Sequence, residues 1–293
     1  MNVVRTTDVA PRERHAAASV STTASRRVFF GVSALLFIAS ATLTATLCVS
    51  MSAIGDMPMP GGWSMSMTWS RMCGQTWPRA AASFIGMWIV MMVAMMLPSL
   101  APTLWRYHES ARRPGQLRAG HLTACAGAGY FVVWLALGAA VFPPGAALAA
   151  LAMQWSAFAR SVPVMTGALV LLAGMLQFTS WKARHLACGR DWFDCVAEPG
   201  RALAAADVAH AWRDGLRHGV HCACCCAGLT AALLAVGMMD LRAMEAVTAA
   251  ITAERLVPNG ERVARAIGAM VVMIGLSMLA RALGVTAVTA WPQ

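Results

Sequence analysis

Val28-Phe-Phe-Gly-Val-Ser-Ala-Leu-Leu-Phe-Ile-Ala-Ser-Ala-Thr-Leu-Thr-Ala-Thr-Leu-Cys-Val-Ser-Met51 runs for 24 residues without a charged side chain. As a helix rising about 1.5 Å per residue it is long enough to cross a hydrocarbon layer of about 30 Å. A secretory signal peptide is the competing reading. The 27-residue, largely polar segment before the run and the run's length both exceed what such a peptide needs, so it reads as an uncleaved first span. The rest of the chain agrees. Apolar residues make up 58% of the sequence and charged residues 12%, about half the share of a soluble domain. The expected fold is therefore all-α: a polytopic transmembrane helix bundle of about seven spans.

The net charge of +10 invites a nucleic-acid reading, but the arrangement of the charge excludes it. Eighteen of the 23 Lys and Arg residues fall in four short segments, 1–27, 105–120, 182–217 and 255–265. Basic segments between apolar runs mark the cytoplasmic side of a membrane protein. Seven spans with a cytoplasmic N-terminus place all four inside, in contact with a lipid bilayer and not with nucleic acid. The expected divisions are a disordered basic tail (1–27), the first span (28–51), a Met-rich external loop (52–79), a transmembrane metal-binding domain (80–285) and a C-terminal tail (286–293). Within the large domain, spans are expected at 80–105, 121–142 (ending at Pro143-Pro144-Gly145) and 165–181. Residues 145–159 are expected as a short interfacial helix on the outer side. After the polar loop 182–217, a fifth span starts at a cysteine cluster and ends near Asp240. A marginal sixth, 242–257, is interrupted by Glu245 and Glu254, and a seventh covers 265–285.

The chemistry is concentrated in sulfur. His218-Gly219-Val220-His221-Cys222-Ala223-Cys224-Cys225-Cys226 holds four of the nine cysteines. At about 100° per residue, Cys222, Cys225, Cys226 and His218 share one helix face and Cys224 points away. Thiolate and imidazole on one face suit a soft or borderline metal ion. The alternative is small apolar thiols packed between helices. Met91, Met92, Met95 and Met96 fall within an arc of about 140° on the second span, a pattern that serves packing as readily as a thioether relay. Met57, Met59, Met65 and Met67 lie in a Pro/Gly/Ser-rich loop with no helical period and little core to fill. Thioethers suit Cu(I) and have no proton to lose. In the loop 182–217, His185-x-x-Cys188 has ligand-like spacing, with Cys195, Asp191, Asp194 and Glu198 nearby.

Five blocks carry a family resemblance. They are Trp88-x2-Met91-x2-Ala94-Met95-Met96-x-Pro98-Ser99, Gln177-x-Thr179-x2-Lys182, Gly219-x2-Cys222-x2-Cys225-Cys226, Gly237-x-Met239-x-Leu241-x2-Met244 and Glu254-Arg255-x2-Pro258-x-Gly260. In this order, across residues 84–285, they resemble the bacterial "predicted metal-binding integral membrane protein" family, domain of unknown function 2182, some of whose members are labelled copper chaperones. The resemblance implies metal handling, most naturally of copper. The chain departs from the family's pattern where a Cys-x3-Cys-type pair is usual, with His185 and Cys188 in its place. It departs again at Ser180-Trp181, at Cys224 and Ala227, and at Asp240.

Together these features point to a bacterial inner-membrane protein, not an enzyme, that binds Cu(I), or alternatively Zn(II). It would transport the ion or hand it to a cuproprotein or a soluble metallochaperone. The expected ligands are Cys222, Cys225, Cys226, Cys188, His185 and His218 near the cytoplasmic face, the four span methionines as a relay, and the loop methionines as collectors. Two alternatives remain open: a membrane thiol-disulfide oxidoreductase using the Cys222–Cys226 cluster, and a structural or assembly subunit of a membrane complex. Glu254 is expected to pair with its neighbour Arg255 and snorkel to the interface.

Overall fold

The computed structural model describes residues 9–55, 57–71, 74–111, 118–190 and 208–284. Its elements are α1 (Val9–Ile54), a small hairpin of β1 (Met57–Met59) and β2 (Trp63–Met65), a 3-10 turn (Met67–Trp69), α2 (Trp77–Ala111), α3 (Arg118–Gln154), α4 (Ser156–Leu176), α5 (Ser180–Arg190), α6 (Val208–Val236), α7 (Leu241–Leu256) and α8 (Gly260–Ala282). The molecule is an all-α bundle, as its composition requires. Six helical stretches are long and apolar enough to cross a membrane: Thr23–Met51, Trp77–Ala111, Ala119–Gln154, Ser156–Leu176, Val208–Val236 and Gly260–Ala282.

The packing gives the direction of each helix. Phe29 and Phe30 lie against Trp105, Phe84 against Phe142, and the Trp88 indole N–H donates to the Trp134 carbonyl at 2.8 Å. Helix α2 is thus antiparallel to both α1 and α3. Gly215 meets Ala126 and Gly219 meets Tyr130, so α6 runs parallel to α3. Gly167 meets Leu279 and Gly174 meets Val272, so α4 and α8 are antiparallel. Helix α7 starts beside Cys48 of α1, through Met239, and reaches Lys182 of α5 through Glu254. It therefore returns the chain from one end of the bundle to the other. At 16 residues it spans about 24 Å, short of the membrane's about 30 Å. Among the described residues six helices, not the expected seven, are long and apolar enough to cross a membrane, and α7 falls short of that length. The connections at 111–118, 176–208 and 256–260 share one end. The hairpin, the α3–α4 join and the α6–α7 turn share the other. The described residues of the basic segments 105–120, 182–217 and 255–265 therefore gather at a single end.

Several boundaries differ from the sequence-based expectation. Helix α1 begins at Val9, inside the segment expected to be a disordered tail. Helix α3 continues through Pro143 and Pro144 to Gln154. Prolines within membrane helices are tolerated because neighbouring groups satisfy the freed carbonyls. The stretch 145–159 is therefore not a separate interfacial helix: it is the end of α3 and the start of α4, joined at Trp155, whose extended backbone (φ −120°, ψ 103°) breaks the helix. Helix α4 starts at Ser156 and not at 165. Helix α6 starts at Val208, well before the cysteines, so the cluster lies inside the helix at the level of Met96 and Tyr130 instead of at the bundle's inner face. Asp240 caps α7, its carboxylate accepting from the backbone N–H groups of Arg242 (2.9 Å) and Ala243 (3.3 Å), as an N-cap residue should.

Candidate metal centre

The two sulfur-bearing faces predicted from helical spacing meet in the core. Met91, Met92, Met95 and Met96 on α2 and Cys222, Cys225 and Cys226 on α6 are all buried within one contiguous apolar cluster. Cys224, on the opposite side of α6, is partly exposed. The Cys222 thiol lies 4.0 Å from the Met96 thioether and 4.0 Å from the Cys226 sulfur. Metal–sulfur bonds of about 2.3 Å at about 120° would set sulfurs about 4.0 Å apart. The separations of Cys222 from Met96 and from Cys226 are those of sulfurs that share one metal ion.

The close packing of α6 on α3 sets this geometry. A side chain at Gly215 would strike the Ala126 carbonyl, and one at Gly219 would strike the Tyr130 carbonyl and Val133. With no side chains there, α6 sits close enough for the Tyr130 hydroxyl to reach Cys222 Sγ at 2.8 Å. His218, one turn earlier and buried, packs against the Tyr130 ring with centroids 5.5 Å apart. Beside both is a cavity of about 20 Å³ lined in part by Tyr107, Tyr130, Asp214 and His218, enough for about one water molecule.

On the other flank lies a buried polar network. Lys182 Nζ donates to Glu254 Oε2 at 2.7 Å and to the carbonyl of Cys225 at 2.8 Å. Gln177 Nε2 donates to Glu254 Oε1 at 2.9 Å. The expected Glu254–Arg255 snorkelling pair is not what forms. Successive helical positions diverge by about 100°, and Glu254 turns inward to Lys182, only 1% exposed. Arg255 instead exerts its positive charge on Cys222, Cys226, Tyr130 and Cys225. Two cations and one carboxylate thus lie in the neighbourhood of the thiols.

His185 and the described loop methionines do not join this group, and the side chains of Cys188 and Met67 lie outside the described ones. His185 lies next to His221, with ring centroids 5.7 Å apart, and its Nδ1 is 2.8 Å from the Trp181 carbonyl. Cys188 follows it by one turn of α5. Cys195, Asp191, Asp194 and Glu198 lie outside the described residues. The loop methionines form a hairpin in which Met57 pairs with Met65 and Met59 with Trp63. Met59 and Met65 are buried against Ala149, Ala152 and Ala159, and the Trp63 indole donates to the Ala159 carbonyl at 2.8 Å. They have a core to fill, contrary to expectation: the α3–α4 join supplies it. Met57 stays exposed, and Met67 falls in the 3-10 turn.

Among the described residues, no three of His, Cys, Asp or Glu gather as a metal-binding group. The sulfur contacts of Cys222 include the thioether of Met96, which lies outside those four residue types. Tyr130 and His221 were missed by sequence reasoning, because no helical spacing shows that α3 presents a phenol to α6 or that α5 folds back on it. Lys182 and Gln177 stood in the second family-like block without an assigned role. No curated protein matches the chain, and neither does any solved structure. The sequence model described as a copper chaperone (PpoB2) matches residues 85–278, about two thirds of the chain and the part that carries Met96, Tyr130, Lys182, Cys222, Cys226 and Glu254. The chain belongs to this copper chaperone family.

Proposed function

We propose that the protein holds Cu(I) between Met96, Cys222 and Cys226 inside the membrane and passes it inward, to the cytoplasmic side or to a cuproprotein or soluble metallochaperone. The contacts of Cys222 with both other sulfurs, in a buried core, support the reading. A thioether beside two thiolates selects a soft monovalent ion over Zn(II), whose usual ligands are thiolate, imidazole and carboxylate. The thiols lose their protons as the ion binds. With Cu(I) and two thiolates the centre carries one net negative charge, which Arg255 offsets.

The exposed Met57 would meet the ion outside the membrane, and the stripe of Met91, Met92, Met95 and Met96 would lead it to the thiolates. Ligand softness rises along that path and sets the inward direction. His185, His221 and Cys188 stand at the inner end, where the ion would leave. A redox role is less favoured, because thiol–disulfide exchange needs a sulfur that a partner thiol can reach, and Cys222 and Cys226 are each 1% exposed.

Copper content after anaerobic purification tests the assignment. Cys222→Ser and Cys226→Ser should each lose most of the bound copper, while Cys224→Ser should keep it. Equal losses at all three positions would contradict a site built on one helix face.

A further inference from the structure

The described structure contains a second sulfur pair, at the opposite end of the bundle from the basic segments. The Cys48 thiol, near the end of α1, donates to the thioether of Met239 at 3.8 Å. Met239 sits in the turn between α6 and α7, and Cys48 precedes the region that the copper chaperone family covers. The two side chains border a cleft of about 320 Å³ lined by Cys48, Val49, Met239, Asp240, Leu241 and Arg242. The Asp240 carboxylate is held by the first backbone N–H groups of α7. The sulfurs are thus the donors that the cleft offers to a soft ion.

Behind them the sulfur continues. Cys48, Met238, Met244, the four methionines of α2 and the three buried cysteines of α6 all belong to one contiguous buried cluster. From this we infer that Cys48 and Met239 form an outer loading port that takes up a soft monovalent cation from the cleft and delivers it to the α2 methionines. The inference rests on the copper reading of the inner site. Two metal–sulfur bonds of about 2.3 Å in line would separate the sulfurs by about 4.6 Å, so the pair opens by less than about 1 Å on binding. As the metal–sulfur bond forms, the Cys48 proton passes to water in the cleft, and the metal's oxidation state does not change. On transfer inward, the bond to Cys48 breaks and the thiolate regains a proton from that water.

The test is the rate at which purified full-length protein, anaerobic and in detergent, takes up Cu(I) from a weak chelator. Cys48→Ser and Met239→Leu should each slow loading by about tenfold while leaving the final copper content unchanged, and Cys48→Met, which restores a sulfur donor, should recover most of the rate. Loading of Cys48→Ser at the wild-type rate would overturn the port, as would equal slowing in Cys48→Met, which would assign the effect to packing. Failure of the inner site gives a different result. There Cys222→Ser would retain the wild-type final content, whatever the Cys48 variants do.

Discussion

Lys182→Met should destabilise the protein by about 3–5 kcal/mol, among the largest single losses anywhere in the chain. The Glu254 carboxylate would keep only the amide of Gln177 as a partner from this network, and the Cys225 carbonyl would lose its ammonium donor. Removing one member of a buried ion pair exposes the other to much of its desolvation penalty. The double variant Lys182→Met/Glu254→Met should recover most of the loss, since an apolar pair of similar volume replaces the ion pair without an orphaned charge. Unfolding in a denaturing detergent series would measure both. A double variant as unstable as the single one would show that the network supports the fold through more than its charge balance.

Cys222→Ser should weaken Cu(I) affinity by at least about a hundredfold, because it removes the sulfur that contacts both Met96 and Cys226. Met96→Leu should produce a smaller but clear loss. That substitution conserves volume, and such swaps usually cost less than about 1.5 kcal/mol of stability, so its effect on copper can be separated from its effect on folding. Competition with a Cu(I) chelator of known affinity would rank the two. If Met96→Leu bound as tightly as the wild type, the thioether would be packing alone and the three-sulfur site would fail.

The parts of this arrangement that were legible in the sequence are those governed by a period. The apolar runs gave the helices, and about 100° per residue placed Cys222, Cys225 and Cys226 together with Cys224 apart, as they are found. Helix ends were harder to read. Pro143 and Pro144 read as a stop, but within a bundle the freed carbonyls find other partners, and α3 runs on to Gln154. Glu245 and Glu254 make the α7 segment a marginal span in the sequence, and the charge of Glu254 is accommodated by Lys182, 72 residues away. Nothing local announces that pairing. Tyr130 is comparable: its place beside Cys222 depends on Gly215 and Gly219 letting two parallel helices close together. Met59 and Met65 were read as exposed collectors because the core they fill belongs to α3 and α4.

The coordination of bound copper tests the central claim most directly. X-ray absorption at the copper edge, on anaerobically loaded full-length protein, should show a monovalent ion with a first shell of about three sulfurs at about 2.3 Å and no imidazole scattering. A first shell dominated by nitrogen or oxygen would place the ion at His185 and His221 or elsewhere, and would contradict a centre built from Met96, Cys222 and Cys226.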